Sequence, residues 1–282
     1  MNIKPLVTAT VVVASTLAFS AVKPPKPAPT LDERKAAKAA RELQRLKEDG
    51  GEVIRSGTMK GWVLIANGQT LVDQFELEEV RDYLWDTLNF NIKVEKADKV
   101  TQQNVTAALA KSGANAAVFI TEDPTLPILL LAPEERWAIV NATKLAEGAK
   151  TPKYTEMRLK KEVVRAFVYL CGGANSSYSG SMMGAVNKPA DLDRFAEIEL
   201  PMDVLMRFNS YMKGIGVTPA ERAPYIFALE ETWCPPPANE YQQKIKADWE
   251  EAQAKAKAER EAREAARAAA AKAAQEAKEE TK

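Results

Sequence analysis

Lys161-Glu162-Val163-Val164-Arg165-Ala166-Phe167-Val168-Tyr169-Leu170-Cys171 closes the part of this chain that has a recognisable order of elements. It is the end of a helix predicted over Met157 to Cys171. Working back from it, Trp137 to Asn141 and Ile128 to Ala132 read as strands on either side of Pro133-Glu134-Glu135. Ala116 to Ile120 reads as a buried strand, and Asn104 to Lys111 as a short helix ended by Gly113. Phe90 to Val94 alternates with period two, as a half-exposed strand does. The spacing of Val80, Tyr83, Leu84 and Leu88 makes Phe75 to Leu88 helical, and Trp62 to Ala66 is another buried strand. The order β-α-β-α-β-β-β-α implies an α/β (α+β) domain with a mixed sheet backed by helices.

Downstream, Gly172 to Ser177 is a loop, and Leu200 to Gly214 is a helix stopped by glycine. Thr218-Pro219-Ala220-Glu221 carries the signs of a helix start, with Pro at the first helical position. Cys234-Pro235-Pro236-Pro237 stops that helix, which makes the C-terminal part mainly helical.

The ends have their own character. Lys4, the uncharged run Leu6 to Phe19 and the small residues at Ala18 and Ser20 read as a signal peptide over 1–20. Residues 21–30 are a stiff proline-rich linker. A charged helix over 31–50 opens on a capping box, Thr30 with Glu33, and the main domain is placed at 51–241. The tail, 242–282, is Ala, Lys, Glu and Arg, helical or disordered, with only Ile245 and Trp249 able to pack on the domain. The expected setting is therefore export, to the periplasm or the outside of the cell, with no membrane span left after cleavage.

Composition removes several functions. Lys+Arg 39 balance Asp+Glu 39, so there is no general electrostatic case for nucleic acid. With His 0, the usual base of serine and cysteine hydrolases is missing. An even pair, Cys171 and Cys234, makes one disulfide an open option in an exported chain, with two buried thiols as the other.

The stretch quoted first resembles a family. Zinc peptidases of the metzincin clan, archaemetzincins in particular, carry HExxHxxGxxH on a helix that follows a five-stranded sheet, and a methionine turn after it. Two histidines at i and i+4 grip one zinc, and the glutamate between them activates its water. On this chain the ligand positions fall on Lys161, Arg165 and Cys171, the base on Glu162 and the glycine on Val168. Ser181-Met182-Met183 stands where the methionine turn belongs, with Met183 as its methionine. Trp137 to Leu145 looks like the preceding strand, and Ala190-Asp191-Leu192-Asp193-Arg194 like the acidic run that follows. The likeness spans roughly 61–194 and implies a zincin-like fold.

Zinc does not suit these letters. Lys161 and Arg165 are cations, and one thiolate makes no site, so no cofactor and no catalytic residue is expected. The resulting reading is an inactive peptidase homologue acting as a binding or scaffold module. Lys161, Glu162 and Arg165 would form a cationic cleft for a carboxylate or another part of a peptide or protein ligand. The plainer alternative has Glu162 neutralising Arg165 across i,i+3. Three further readings stay open: a hydrolase using Ser176, Ser177, Ser179 or Ser181 with Lys161, an unorthodox metallopeptidase, and a structural envelope protein whose tail contacts a partner.

Overall fold

A computed structural model describes residues 29–176, 181–195, 198, 200 and 202–279. The export pattern over 1–20, the linker up to residue 28, and Ser177 and Ser179 lie outside the described residues. The chain divides into two compact units, one ending at Gln44 and the other beginning at Arg45. Helix α1 (Leu31–Asp49) starts in the first with the expected capping box. The Glu33 N–H donates to Thr30 Oγ1 at 3.3 Å and the Thr30 N–H to Glu33 Oε2 at 2.7 Å.

In the second unit, β1 (Glu52–Ile54) belongs to a small ladder, and the main sheet is made by β2 (Val63–Asn67), β3 (Ile92–Lys96), β4 (Ala116–Thr121), β5 (Leu129–Ala132) and β6 (Trp137–Asn141). Their spatial order is β3-β2-β4-β6-β5. All neighbours are parallel except β5, which runs antiparallel to β6 at one edge. The three inner strands are buried at every residue, as expected of apolar runs covered on both faces. Side chains alternate between two layers. Val63 and Ile65 join the larger core under α2 (Gln74–Leu88), whereas Leu64 and Ala66 join a smaller one with Val105 and Leu109 of α3 (Val105–Ser112).

Strand β6 passes directly into α4 (Ala142–Ala146), and α5 (Pro152–Leu170) follows. This last helix begins earlier than Met157 because Pro152 suits its first turn. Its end explains Gly172-Gly173: the Gly172 N–H donates to Tyr169 O and the Gly173 N–H to Val168 O, with Gly172 at φ +76°.

The C-terminal part is α6 (Met202–Gly214), β7 (Arg222–Pro224), α7 (Tyr225–Glu230) and α8 (Glu240–Glu279). The helix start expected at Thr218 is corrected here. Residues 218–224 are extended: Thr218 bridges Lys60, its hydroxyl donates to Thr58 O at 3.0 Å, and β7 pairs with β1. Pairing with a remote strand outweighs the local cap. On α8, Ile245 and Trp249 pack with Val53, Tyr225 and Leu229, and residues 251–273 are exposed throughout.

The disulfide option is also corrected. Both cysteines are free thiols. Cys171 sits in the main core, whereas Cys234 packs in the separate cluster around Tyr225.

Candidate functional site

Helix α5 carries four charged side chains that are almost inaccessible: Arg158, Lys161, Glu162 and Arg165, each at 3 % exposure or less. Their spacing, three or four residues apart, places them along one stripe of the helix. Burying charge is costly unless it is paired and hydrogen-bonded, and each of these four side chains is hydrogen-bonded. Five of the accepting residues, Met182, Gly184, Leu192, Asp193 and Phe195, come from the chain that returns past the helix.

Arg165 is the centre of this arrangement. Its Nε donates to Glu162 Oε2 at 3.0 Å. Its Nη1 donates to Gly184 O at 2.9 Å and also to Met182 O. Its Nη2 donates to the Tyr169 hydroxyl at 2.9 Å, and that hydroxyl donates to Asn175 Oδ1. Lys161 Nζ donates to Leu192 O at 3.0 Å and to Phe195 O at 2.5 Å. Arg158, which the sequence reading passed over, grips Asp193 with Nε and Nη2 at 2.8 and 2.7 Å. Its Nη1 donates to Leu145 O and Glu147 O. Its place on the stripe with Lys161 and Arg165 was the available signal.

Residues 181–184 form a turn, closed by the Gly184 N–H donating to Ser181 O at 2.8 Å. Met182 and Met183 point into the core at 3 % and 1 % exposure. The cations of α5 therefore fasten this turn and the following 3-10 segment, Pro189–Arg194, to the helix by their backbone carbonyls.

Electrostatics follow from burial. The Glu162 carboxyl is raised by desolvation, against which the Arg165 guanidinium pulls it down. Lys161 is lowered by desolvation, partly offset by Asp193. Asp193 is lowered chiefly by its hydrogen bonds from Arg158. Burial alone pushes the Cys171 thiol up, so it stays protonated at neutral pH.

The expected cationic cleft is thus corrected in two respects. The Lys161 ammonium is committed to two backbone carbonyls and does not line the groove beside β5. Arg165 is engaged at Nε, at Nη1 and at Nη2, so it has no two-pronged face to offer a carboxylate. The i,i+3 pairing with Glu162 is present.

Nor do these donors fit zinc: two ligand positions hold cations bonded to carbonyls, and the third is a buried, protonated thiol. Among the described residues, no group of three or more Cys, Asp and Glu side chains is placed to hold a metal ion. The Ser–Lys pairing finds no support in what is described, because the Lys161 amine bonds Leu192 and Phe195; Ser177 and Ser179 lie outside the described residues.

A groove of about 780 Å³ does adjoin the helix. One wall is the edge strand β5, with Ile128, Leu129 and Leu131. Glu162, Arg165 and Tyr169 form the floor, and Val186 to Pro189 the far wall. The register shows which backbone groups face it. Leu129 stands opposite Val140 and Leu131 opposite Ala138, while the Asn141 N–H donates to Ile128 O. In an antiparallel ladder such bonded pairs alternate with unbonded ones. Leu129 and Leu131 therefore point their N–H and C=O away from β6, along an edge that no other strand covers among the described residues.

No family model matches this sequence, and no curated protein matches it either. Among solved structures, the chain is similar to archaemetzincin from Methanopyrus kandleri, at 13 % identity over 57 % of this chain and 99 % of that one, with a TM-score of 0.46. A zinc-dependent peptidase from Methanocorpusculum labreanum gives 14 % identity over 53 % and 100 %, with a TM-score of 0.40. Archaemetzincin from Archaeoglobus fulgidus, complexed with malonate, gives 14 % identity over 52 % and 99 %, with a TM-score of 0.38. Two of these three structures are archaemetzincins and the third is described as a zinc-dependent peptidase. The relationship is distant, and at these values it says nothing about activity.

Proposed function

We propose that this chain is a metal-free binding module that takes an extended peptide along the outer edge of β5. The observation that carries this reading is the groove beside an uncovered edge strand, with the backbone of Leu129 and Leu131 turned into the open. A peptide laid there would gain main-chain hydrogen bonds from the strand and side-chain contacts from the groove floor. Arg165 and Glu162 serve this reading as a neutral, rigid floor. An exported setting belongs to the same proposal and rests on the residue pattern over 1–20.

The test is a random decapeptide display library panned against the full-length protein, with selected peptides measured by fluorescence polarisation. Enriched peptides are expected to bind the Leu129→Pro variant at least about tenfold more weakly. Proline there removes one outward N–H and leaves the β6 ladder intact. Absence of enrichment, or equal binding by both proteins, would overturn the proposal. Elemental analysis separates the metallopeptidase alternative: stoichiometric zinc whose removal abolishes a peptidase activity would establish that reading instead.

A further inference from the structure

The main sheet has two outer strands, and they are built differently. On β3, Lys93, Glu95 and Lys96 are exposed, and charges of this kind keep a further strand off an edge. β5 carries none. It is Leu129-Leu130-Leu131-Ala132, set between Pro127 and Pro133. One edge is therefore guarded and the other left open, but only over a short length. Proline has no N–H, so the donors that the open edge turns outward are those of Leu129 and Leu131.

Alternation along the strand fixes what a paired peptide shows to the groove. Leu129 and Leu131 pack with the core on the α5 side, whereas Leu130 packs with the smaller core on the other face of the sheet. Side chains at the same level of neighbouring strands share a face. The peptide residues beside Leu129 and Leu131 would thus face α5, and the residue between them would face away.

The surface those two side chains meet is apolar at Ile128, Leu129, Leu131 and Val186. Its charges are engaged: Arg165 pairs with Glu162 at 3.0 Å and Lys144 with Glu147 at 2.8 Å. Lys188, on the far wall, is exposed to water. A charged side chain placed on this floor would give up hydration to meet a pair that is already neutral.

We infer that the ligand is an extended peptide carrying an apolar–any–apolar triplet, with the two outer side chains in the groove and the middle one free. This inference rests on the β5 reading proposed above and names the peptide class that it takes. The middle position tolerates charge because its side chain leaves on the other face.

The experiment sequences the decapeptides that the full-length protein enriches and aligns them. One enriched peptide is then made with Asp or Lys at each triplet position in turn and measured by fluorescence polarisation. The enriched sequences are expected to share the triplet. Either charge at an outer position is expected to weaken binding at least about tenfold, and at the middle position less than about threefold. Peptides that bind wild type, weaken in Leu129→Pro and lack the triplet would overturn this inference and leave the β5 reading standing. So would equal tolerance of charge at all three positions, or a preference for Asp at an outer one. Absence of enrichment would overturn both.

Discussion

Replacing Arg165 by methionine tests the buried charge stripe most directly. Met keeps much of the side-chain volume but removes every donor. Glu162, at 1 % exposure, then loses the guanidinium 3.0 Å from its Oε2. The carbonyls of Met182 and Gly184 lose their donor, and so does the Tyr169 hydroxyl. Breaking a buried pair by removing one partner costs about 3–5 kcal/mol, because a charge is left without compensation. Against a total stability of roughly 5–15 kcal/mol, that is a large share. It corresponds to a fall in thermal midpoint of roughly 6–20 °C for a unit of this size.

Glu162→Gln alone should cost less, about 1–3 kcal/mol, since it keeps an acceptor near Arg165 and removes the raised carboxyl. The double variant should cost clearly less than the two single ones added together, by at least about 1 kcal/mol, because its partner position is no longer charged. Urea denaturation followed by circular dichroism and tryptophan fluorescence supplies all four stabilities. A cost below about 1 kcal/mol for Arg165→Met, of the size found for exposed pairs, would refute the reasoning. Strict additivity in the cycle would do the same for the ion pair specifically.

Other expectations concern separate parts of the chain. Gly173→Ala should destabilise by about 2–3 kcal/mol and Gly172→Ala by only about 1. A Cβ on Gly173 would meet Val168 Cγ1 at 2.3 Å, whereas nothing lies within 4 Å of one on Gly172; paired urea melts give the order. The Glu156 carboxyl is raised above 4.5 by desolvation and by its hydrogen bond with Glu76. The folded state therefore holds this proton more firmly than the unfolded state, and stability falls as pH rises from 4.5 through the folded value. Glu156→Gln should flatten that part of the pH–stability curve and gain a few tenths of a kcal/mol at neutral pH, read from urea midpoints across pH 4–8. Removing residues 252–282 should shift stability by no more than about 1 kcal/mol, because residues 251–273 are exposed and such a helix is sustained only by its own propensity; a thermal melt of the shortened chain decides it.

The sheet was largely legible in the residues. Val63 to Ala66, Ala116 to Ile120 and Trp137 to Val140 are short apolar runs separated by helical periodicity, and those local patterns survive in the folded chain. What escaped was non-local. Nothing near Thr218 announces that residues 222–224 will pair with 52–54, more than 160 positions away, and the local cap signal was sound in isolation. The same limit applied at the site. Lys161 and Arg165 read as available cations, because charge is usually solvated. Only the return of residues 181–195 across α5 shows that backbone carbonyls use up their donors. The groove was invisible for a related reason: Leu129 and Leu131 are ordinary strand residues, and their outward backbone follows from register alone.

The fastening of the 181–195 segment has a consequence for when this fold can exist. A turn held by a captured ion depends on supply, competes with chelators and fails when its ligands take up protons. Here the holding charges are covalent parts of α5, and a guanidinium stays charged throughout the physiological range. The grip of Arg165 on Met182 and Gly184, and of Lys161 on Leu192 and Phe195, is complete as soon as the chain has folded. Its assembly needs no loading step and leaves nothing for a scavenger to remove.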